Sequence, residues 1–265
     1  MTVEFQKGKK VLIIGGGYIG LEVAAVASKM EVNTTLVEAS DRILQRVASK
    51  ETSDYFRKLH TLNGVNIIEG VKLRNLEGKN GKVIGANLSD GSQVGIDFVV
   101  AGIGIRPNQI LAEEADLEIE NGIKVNEFCQ TSDPNIFAAG DCASFPFNNE
   151  RIRLESVGNA IDQAEHVAKF ILGDTEPYRA KPWFWSDQYD IKLQIAGLST
   201  AYDDIITRRI DERSVSFWYY SNNKLIAVDA MNDPRVYMVA KRLIEMGKTP
   251  DQNLISDPEV NIKMF

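Results

Sequence analysis

The sequence predicts an α/β protein whose N-terminal part is a doubly wound parallel sheet, and three patterns support this. First, the apolar run 11–14 precedes three consecutive glycines and the Ala-rich segment 21–27, which is the order of a buried strand, a tight turn and a helix. Second, another apolar run follows at 34–37, so strand, helix and strand alternate. Third, one Asn-Gly and one Asp-Gly dipeptide separate short strand-like runs within 71–96, which predicts an inserted antiparallel meander.

The glycine turn has the spacing of a dinucleotide-binding motif. Gly15 suits the tight turn, Gly17 allows a pyrophosphate to approach the backbone, and Gly20 lets the helix pack closely on the strand. Tyr18 and Ile19 lie between the last two glycines, at the start of the helix, where free N–H groups and the helix dipole favour phosphate. The motif therefore predicts that these five residues bind a cofactor.

An acidic residue after the second strand indicates which dinucleotide is bound. Glu38 follows the run 34–37, about 20 residues beyond the last glycine, where the ribose 2′-hydroxyl of NAD is usually held. A carboxylate there repels a 2′-phosphate, so we expect NADH rather than NADPH. Arg42 is the first basic residue that follows, and it leaves NADPH open. The alternative for the whole segment is a β–α–β unit that binds no nucleotide.

Two further strand ends are candidate positions for a ligand. The run 97–101 predicts a buried strand that is followed by Ile103 and Gly104. A second apolar run predicts a buried strand that ends at Gly140 and Asp141. Ligands of open α/β sheets bind at the carboxyl ends of strands. The alternatives are a plain turn at the first position and a helix N-cap or turn residue for Asp141.

The last third of the chain predicts a small α+β module. It combines four strand-like runs, a hairpin turn at Asn222-Asn223 and a closing helix from about Pro234 to Met246. The four runs are 193–196, 205–208, 214–220 and 225–230. An aromatic segment before them contains Trp183 and Trp185. Such clusters more often form core, although a flat ring also suits the neighbourhood of an electron carrier.

Composition excludes several classes of function. A net charge of −7 argues against a general nucleic-acid-binding protein, which needs a basic face. No apolar run reaches the roughly 20 residues of a membrane span, and the N-terminus shows no apolar signal segment. Two cysteines and two histidines predict neither a disulfide framework nor a metal site. The expected location is the cytoplasm.

Five motifs in series resemble one family, the FAD-dependent, NADH-using ferredoxin reductases. In order along the chain they read GGGYIGLEVAA, VVAGIGIRPN, TSDPNIFAAGDCA, ESVGNAIDQA and PWFWSDQ. The related disulfide reductases share the first four motifs. Their C-terminal module carries a His–Glu pair, whereas His166 is the last histidine here and precedes that module. The resemblance implies that NADH reduces FAD, which then passes single electrons to a ferredoxin or rubredoxin.

The resemblance also implies roles for single residues on the NADH side. The three motif glycines hold the pyrophosphate, and Glu38 holds the adenosine ribose. Glu22 resembles an acid near the nicotinamide, and Ile103 and Gly104 line the nicotinamide pocket. No general acid or base is required, because the cofactors carry out the redox chemistry.

On the FAD side the resemblance implies a second group of residues. Gly140-Asp141 matches a motif whose acid contacts the ribityl–phosphate region. Glu155 resembles the acid at the junction of NADH and flavin, and Ser156 and Val157 continue this motif, with Val157 offering backbone to the flavin ring. Trp185 resembles a tryptophan beside the isoalloxazine, on the side of the electron-transfer partner.

We expect three parts: an NADH-binding domain at 1–110, a residual second segment of an FAD-binding domain at 111–175, and a C-terminal reductase domain at 176–265. The family normally opens with a further segment that carries a first dinucleotide motif. The sequence here begins after it, so the expected alternatives are a truncated form, a split enzyme with a second chain, or self-association. The alternative function is an NADH-binding fragment or subunit without FAD.

An acidic ferredoxin requires a local basic patch on this acidic chain. Arg151 with Arg153, or Arg208 with Arg209 and Arg213, are candidate patches that would steer the encounter. The alternative is that these residues are ordinary solvated surface charges.

Overall fold

The computed structural model describes residues 4–265, and its internal contacts divide the chain into two compact units. The first unit comprises the described residues through Gly104 together with Trp185–Ile195 and Ser199–Phe265. The second unit comprises Ile105–Phe184 and Ala196–Leu198. The three-part division at 110 and 175 stays a prediction.

The first unit opens with a four-stranded parallel sheet in the order β3-β2-β1-β7. Its N-terminal elements are β1 (Lys10–Ile14), α1 (Tyr18–Lys29), β2 (Asn33–Val37), α2 (Lys50–Leu62), β3 (Asn66–Ile68), β4 (Leu73–Lys79), β5 (Lys82–Leu88), β6 (Gln93–Gly95) and β7 (Phe98–Ala101). The apolar side chains of the central strand β1 are buried at Val11, Leu12 and Ile13. The predicted doubly wound α/β fold is confirmed, because short apolar runs form the interior strands of a parallel sheet.

Strands β4, β5 and β6 form the predicted antiparallel meander. Asn80 and Gly81 both have positive φ, at 52° and 75°, which is the backbone of a two-residue hairpin turn. Ala86 and Leu88 pack with Leu12 of the parallel sheet in one buried cluster. The meander therefore covers part of that sheet.

The second unit contains α3 (Ile110–Glu114), β8 (Ile123–Lys124), β9 (Ala143–Phe147), β10 (Glu150–Ile152) and α4 (Val157–Ile171). Its sheet has the order β10-β9-β8, and Phe145 and Leu154 lie in its core. The prediction of a strand at 136–139 is wrong. There Phe137 makes only an isolated bridge to Gln130 among the described residues. A β-strand needs a neighbouring strand with which its backbone forms a series of hydrogen bonds, and this apolar run has none in the described structure.

The remaining elements form a five-stranded sheet in the order β11-β12-β15-β14-β13 with a closing helix. They are β11 (Trp183–Gln188), β12 (Ile191–Gly197), β13 (Asp204–Arg209), β14 (Val215–Ser221), β15 (Lys224–Met231), α5 (Pro234–Glu245), α6 (Gln252–Ser256) and a 3-10 turn at Ile262–Met264. The four predicted strands, the turn at Asn222-Asn223 and the helix are confirmed. The aromatic segment at 183–188 forms β11, which the sequence analysis did not assign to a strand.

The helices among residues 4–265 are all too short or too polar to cross a bilayer. In the same range, histidine, cysteine and acidic side chains never gather in threes as they would around a metal ion.

Candidate functional site

Two glycines of the motif, Gly15 in the turn after β1 and Gly20 in α1, have no room for a side chain. Gly15 has φ +101°, and a Cβ there would lie 2.4 Å from the carbonyl oxygen of Gly102. A Cβ on Gly20 would lie 2.0 Å from the carbonyl oxygen of Gly15. Both distances are far inside van der Waals contact, so the turn requires glycine at these positions for close backbone packing.

Gly17 is different, because its missing side chain leaves open space. An ideal Cβ at Gly17 meets no heavy atom of residues 4–265 within 4 Å. Gly17 is also the N-cap of α1, and no side chain in the described part of the chain caps the N–H groups of the first turn. This helix start therefore offers unfilled space, N–H donors and the positive end of a helix dipole to an anionic group.

The carboxylate of Glu38 lies against this turn. Its Oε2 accepts a hydrogen bond from the N–H of Gly16 at 2.7 Å, and its Oε1 accepts one from the N–H of Ser40 at 2.7 Å. The two bonds fix the carboxylate beside the middle glycine. The glycine turn and the predicted ribose-binding acid are thus adjacent.

The guanidinium of Arg42 is engaged elsewhere in the loop before α2. It donates to the carbonyl oxygens of Ala48 at 2.8 Å and Ser49 at 3.0 Å, and to the hydroxyl of Ser53. The Ser49 hydroxyl in turn caps α2. Arg42, which left NADPH open in the sequence, therefore stabilises the loop that precedes α2.

The segment after β7 passes next to the glycine turn. The N–H of Gly102 donates to the carbonyl oxygen of Ile14 at 2.8 Å. The carbonyl oxygen of Gly102 is the atom that would clash with a side chain at Gly15. Ile103 is 69% exposed, and Gly104 has φ +95° with no atom near an added Cβ. The carboxyl ends of β1 and β7 thus lie side by side, as expected for a ligand crevice.

Helix α1 carries three more of the predicted residues. Ile19 is exposed, whereas the hydroxyl of Tyr18 is buried and bonds to none of the described residues. Burial raises the pKa of Tyr18 well above its usual value. Glu22 accepts a hydrogen bond at Oε1 from the hydroxyl of Ser186, at 2.6 Å. Ser186 follows the predicted Trp185 in β11, and the sequence analysis did not single it out.

The predicted FAD-side residues of the second unit gather at the start of α4. Gly140 has φ +83°, and its N–H donates to Oε1 of Gln163 at 2.7 Å. Asn159 donates to the same oxygen at 3.3 Å. Ser156 is the N-cap of α4, and its hydroxyl accepts from the N–H of Asn159. The Gly140 turn is therefore held against the first turns of α4, and Val157 is the first residue of the helix.

Asp141 and Glu155 are linked through one arginine. Arg153 donates to the carbonyl oxygen of Asp141 at 2.8 Å and pairs with the carboxylate of Glu155 at 2.8 Å. Asp141 precedes β9 instead of ending a strand, so its predicted position at the carboxyl end of a strand is wrong. Its exposed carboxylate nevertheless lies in the turn beside α4.

Two features of this region fit a bound polar group. The Nε2 amide of Gln163 is buried and finds no acceptor among the described residues. Val157, at the N-terminus of α4, is 59% exposed. An unused buried donor beside a glycine turn and an open helix start match the needs of a ligand with phosphate and carbonyl oxygens.

The structure removes Arg208 from the predicted basic patches, and docking at the other arginines stays a prediction. Arg208 is only 4% exposed and donates to backbone carbonyls. Arg213 pairs with Asp190, and Arg151 donates to the carbonyl oxygens of Val125 and Ser144. Of the group at 208–213, Arg209 is the arginine that the described structure leaves exposed without an ion pair.

Two family models match this chain. Residues 2–164 match the family model described as pyridine nucleotide-disulphide oxidoreductase, and residues 183–265 match the model described as reductase C-terminal. Putidaredoxin reductase CamA of Pseudomonas putida is 40% identical over 96% of this chain and 61% of its own length. A ferredoxin–NAD(P)(+) reductase of a Sphingomonas species is 42% identical over 100% of this chain and 65% of its own.

A solved structure shows the same architecture. The crystal structure of the covalent putidaredoxin reductase–putidaredoxin complex matches with a TM-score of 0.94 and 39% identity, over 98% of this chain and 64% of that one. The chain thus spans about three-fifths of the length of the curated relatives it matches.

Proposed function

Because this chain belongs to the pyridine nucleotide-disulphide oxidoreductase family, we propose that it carries the NADH site of a flavoprotein reductase. In this proposal NADH reduces FAD, and the electrons pass one at a time to a small ferredoxin or rubredoxin. The names of the relatives support the acceptor class, since putidaredoxin reductase and a ferredoxin–NAD(P)(+) reductase both align over nearly the whole chain.

The observation that carries the proposal is the hydrogen bond between Glu38 and the N–H of Gly16, at 2.7 Å. This bond supports the proposal because a carboxylate that could accept from the ribose lies directly beside a glycine turn that could accommodate the pyrophosphate. Ribose hydroxyls donate to such a carboxylate, whereas a 2′-phosphate is repelled by it. Arg42, which would compensate that repulsion, is occupied by carbonyl oxygens of its own loop. NADH is therefore the preferred nucleotide.

The other residues of the first unit extend this site toward the nicotinamide. Gly17 leaves room for the pyrophosphate, and Tyr18 and Ile19 contribute the N–H groups of the helix start. Ile103 and Gly104, at the end of β7, line the nicotinamide side. Glu22 presents a carboxylate one turn along α1, where it can accept a hydrogen bond from the carboxamide.

The second unit supplies the residues that would hold FAD. The turn at Gly140-Asp141, the segment from Glu155 through Ser156 to Val157, and the unused amide of Gln163 would bind its polar parts. FAD, when bound, accepts a hydride and releases single electrons. The protein's part is to bind both cofactors, orient them and exclude water.

Calorimetry with NADH and NADPH tests the nucleotide site. Wild-type protein should bind NADH at least about tenfold more tightly than NADPH, which corresponds to about 1.4 kcal/mol. Glu38→Arg should lose NADH affinity and swing the preference toward NADPH. An unchanged preference in that variant would remove Glu38 from the site.

An absorbance spectrum tests the flavin function. The purified protein is mixed with FAD under anaerobic conditions, separated from free flavin, and then treated with NADH. A bound flavin band that bleaches with NADH supports the reductase. NADH binding without any bound flavin would restrict the function of this chain to that of an NADH-binding subunit or fragment.

A further inference from the structure

A chain of four hydrogen bonds in the first unit ends on Glu22. The hydroxyl of Ser186 bonds to Oε1 of Glu22 at 2.6 Å, and Nε2 of Gln188 bonds to that hydroxyl at 3.0 Å. Oε1 of Gln188 bonds to Nε2 of His60 at 2.7 Å, and Nδ1 of His60 bonds to the hydroxyl of Tyr189 at 3.3 Å. These hydrogen bonds join α1, β11 and α2.

The chemistry of each group gives the chain one direction. A carboxylate only accepts, so Ser186 donates to Glu22 and its oxygen accepts from the Gln188 amide. The carbonyl oxygen of Gln188 then faces His60, whose Nε2 must carry the proton. Burial lowers the pKa of His60, which favours the neutral ring and leaves Nδ1 to accept from Tyr189. Every donor points toward the carboxylate.

Water cannot take the place of these bonds. His60 and Gln188 are 0% exposed and Ser186 is 1% exposed. A missing link therefore leaves a buried polar group without a partner, which costs more than the bond itself contributes. In the Gln188 amide the donor is Nε2 and the acceptor is Oε1, so a proton that arrives at one atom cannot leave from the other. The hydrogen bonds therefore orient these side chains and do not conduct a proton.

The other oxygen of Glu22 is not used in this way. Oε2 receives no hydrogen bond from the described residues, and the side chain is partly exposed on α1. One oxygen is thus held from inside the protein while the other is available. The bond to Ser186 limits the side chain to few rotamers, which lowers the entropy cost when a donor binds to Oε2.

We propose that His60, Gln188 and Ser186 are positioning residues that hold the Glu22 carboxylate in place for the carboxamide N–H of the nicotinamide. The inference rests on the proposed function, because it takes NADH as the ligand. A carboxylate is a strong acceptor for an amide donor, and such charge-assisted bonds are the stronger ones. Sequence reasoning missed this role, since the three residues are distant from Glu22 in the chain.

The test compares two ligands by calorimetry at pH 7: NADH, and ADP-ribose, which lacks the nicotinamide. Wild-type protein should bind NADH several-fold more tightly than ADP-ribose. Ser186→Ala and His60→Leu should each weaken NADH binding by about five- to tenfold and leave ADP-ribose binding unchanged. The double variant should lose no more than the stronger single variant, because both break the same chain.

A conservative variant and an exposed neighbour provide the controls. His60→Gln keeps an amide donor near the position of Nε2 and should restore most of the NADH affinity that His60→Leu loses. Thr61→Ala, an exposed change next to His60 on α2, should bind both ligands like wild type. Thermal unfolding of each variant checks the fold, and Ser186→Ala, the smallest change, carries the test if His60→Leu does not fold.

Three outcomes would overturn the inference. The first is an unchanged NADH affinity in Ser186→Ala. The second is an equal loss of affinity for NADH and ADP-ribose, which would indicate a structural role only. Equal binding of both ligands by wild-type protein would also exclude a nicotinamide contact. Failure of wild-type protein to bind ADP-ribose is a separate result, which overturns the proposed nucleotide site and the inference with it.

Discussion

Thr52 on α2 donates a hydrogen bond to Asp229 on β15 at 2.6 Å, across 177 positions of the chain. The hydroxyl of Tyr219 donates to the same carboxylate oxygen at 2.5 Å. Asp229 is only 1% exposed, and burial raises the pKa of its carboxyl to about 6, although both hydroxyl donors oppose that rise. A titratable carboxylate thus joins α2 to the C-terminal sheet within the first unit.

The first prediction concerns the stability of the protein as a function of pH. The pKa of Asp229 is higher in the folded state, so the folded protein holds this proton more tightly than the unfolded chain. Raising the pH from about 4 through about 6 therefore lowers the free energy of unfolding, by roughly 3 kcal/mol in total from this group. Asp229→Asn should lack this decrease.

Denaturant unfolding of wild type and of Asp229→Asn at pH 4 and pH 7 measures this pH dependence of the free energy of unfolding. The difference between wild type and Asp229→Asn should move by about 2–3 kcal/mol in favour of the variant at the higher pH. Asp116→Asn, an exposed change, serves as the control and should follow wild type. Parallel stability curves for wild type and Asp229→Asn would contradict the shifted pKa.

The second prediction separates two motif glycines. Gly20→Ala should lower the free energy of unfolding by about 1–3 kcal/mol or more, because its Cβ would overlap the carbonyl oxygen of Gly15. Gly17→Ala should leave stability within about 0.5 kcal/mol, since its φ of −78° suits alanine and its Cβ meets no atom.

NADH binding distinguishes them further. In Gly17→Ala the new methyl group enters the space proposed for the pyrophosphate, so NADH affinity should fall by about tenfold or more in a fully folded protein. Calorimetry together with thermal unfolding reports both quantities. A Gly17→Ala variant that binds NADH like wild type would show that the pyrophosphate lies elsewhere.

The third prediction is that Arg42 contributes to stability and not to the choice of nucleotide. Arg42→Met leaves the carbonyl oxygens of Ala48 and Ser49 without their donor, at a cost of about 1–3 kcal/mol. The ratio of NADH to NADPH affinities should stay unchanged. Arg46→Met, an exposed change in the same loop, should alter neither property. A shift of the affinity ratio toward NADH in Arg42→Met would show that Arg42 contributes to NADPH binding.

The fourth prediction concerns a buried cation that holds the C-terminal segment. The guanidinium of Arg208 donates to four backbone carbonyl oxygens, those of Ile255, Asp257, Pro258 and Val260. Arg208→Met should lower the free energy of unfolding by about 2–4 kcal/mol, because four acceptors lose a charged donor. Limited proteolysis should cut the C-terminal segment faster in this variant.

The adjacent arginine provides the matched control. Arg209 is exposed, so Arg209→Met should change the free energy of unfolding by less than about 0.5 kcal/mol. Equal effects of the two substitutions would mean that Arg208 is not the anchor of this segment.

Features that depend on neighbours in the chain could be predicted from sequence alone. The strand–turn–helix at Gly15–Gly20 follows from local sterics, because only glycine fits where backbone atoms approach within 2.0–2.4 Å of its absent side chain. The turns at Asn80-Gly81 and Asn222-Asn223 depend on positive φ, which these residues adopt readily. The family suggested by the five motifs is likewise confirmed.

Features that depend on distant partners were decided by the tertiary structure. The apolar run 136–139 reads as a strand but has no ladder to join. Arg208 reads as a surface charge, yet a segment about 50 positions away surrounds it with carbonyl oxygens. Residue type alone does not tell whether a charge is hydrated or buried, because burial depends on what the rest of the chain brings against it.

The sequence by itself determined the glycine motif, the position of Glu38 after β2 and the membership of a reductase family. The tertiary structure alone decided that Glu38 bonds to Gly16, that Arg42 is occupied within its loop, and that His60 is connected to Glu22. The physical reason is the range of the interactions. Backbone sterics act between adjacent residues and leave a pattern in the sequence, whereas hydrogen bonds between folded elements join residues that share no pattern.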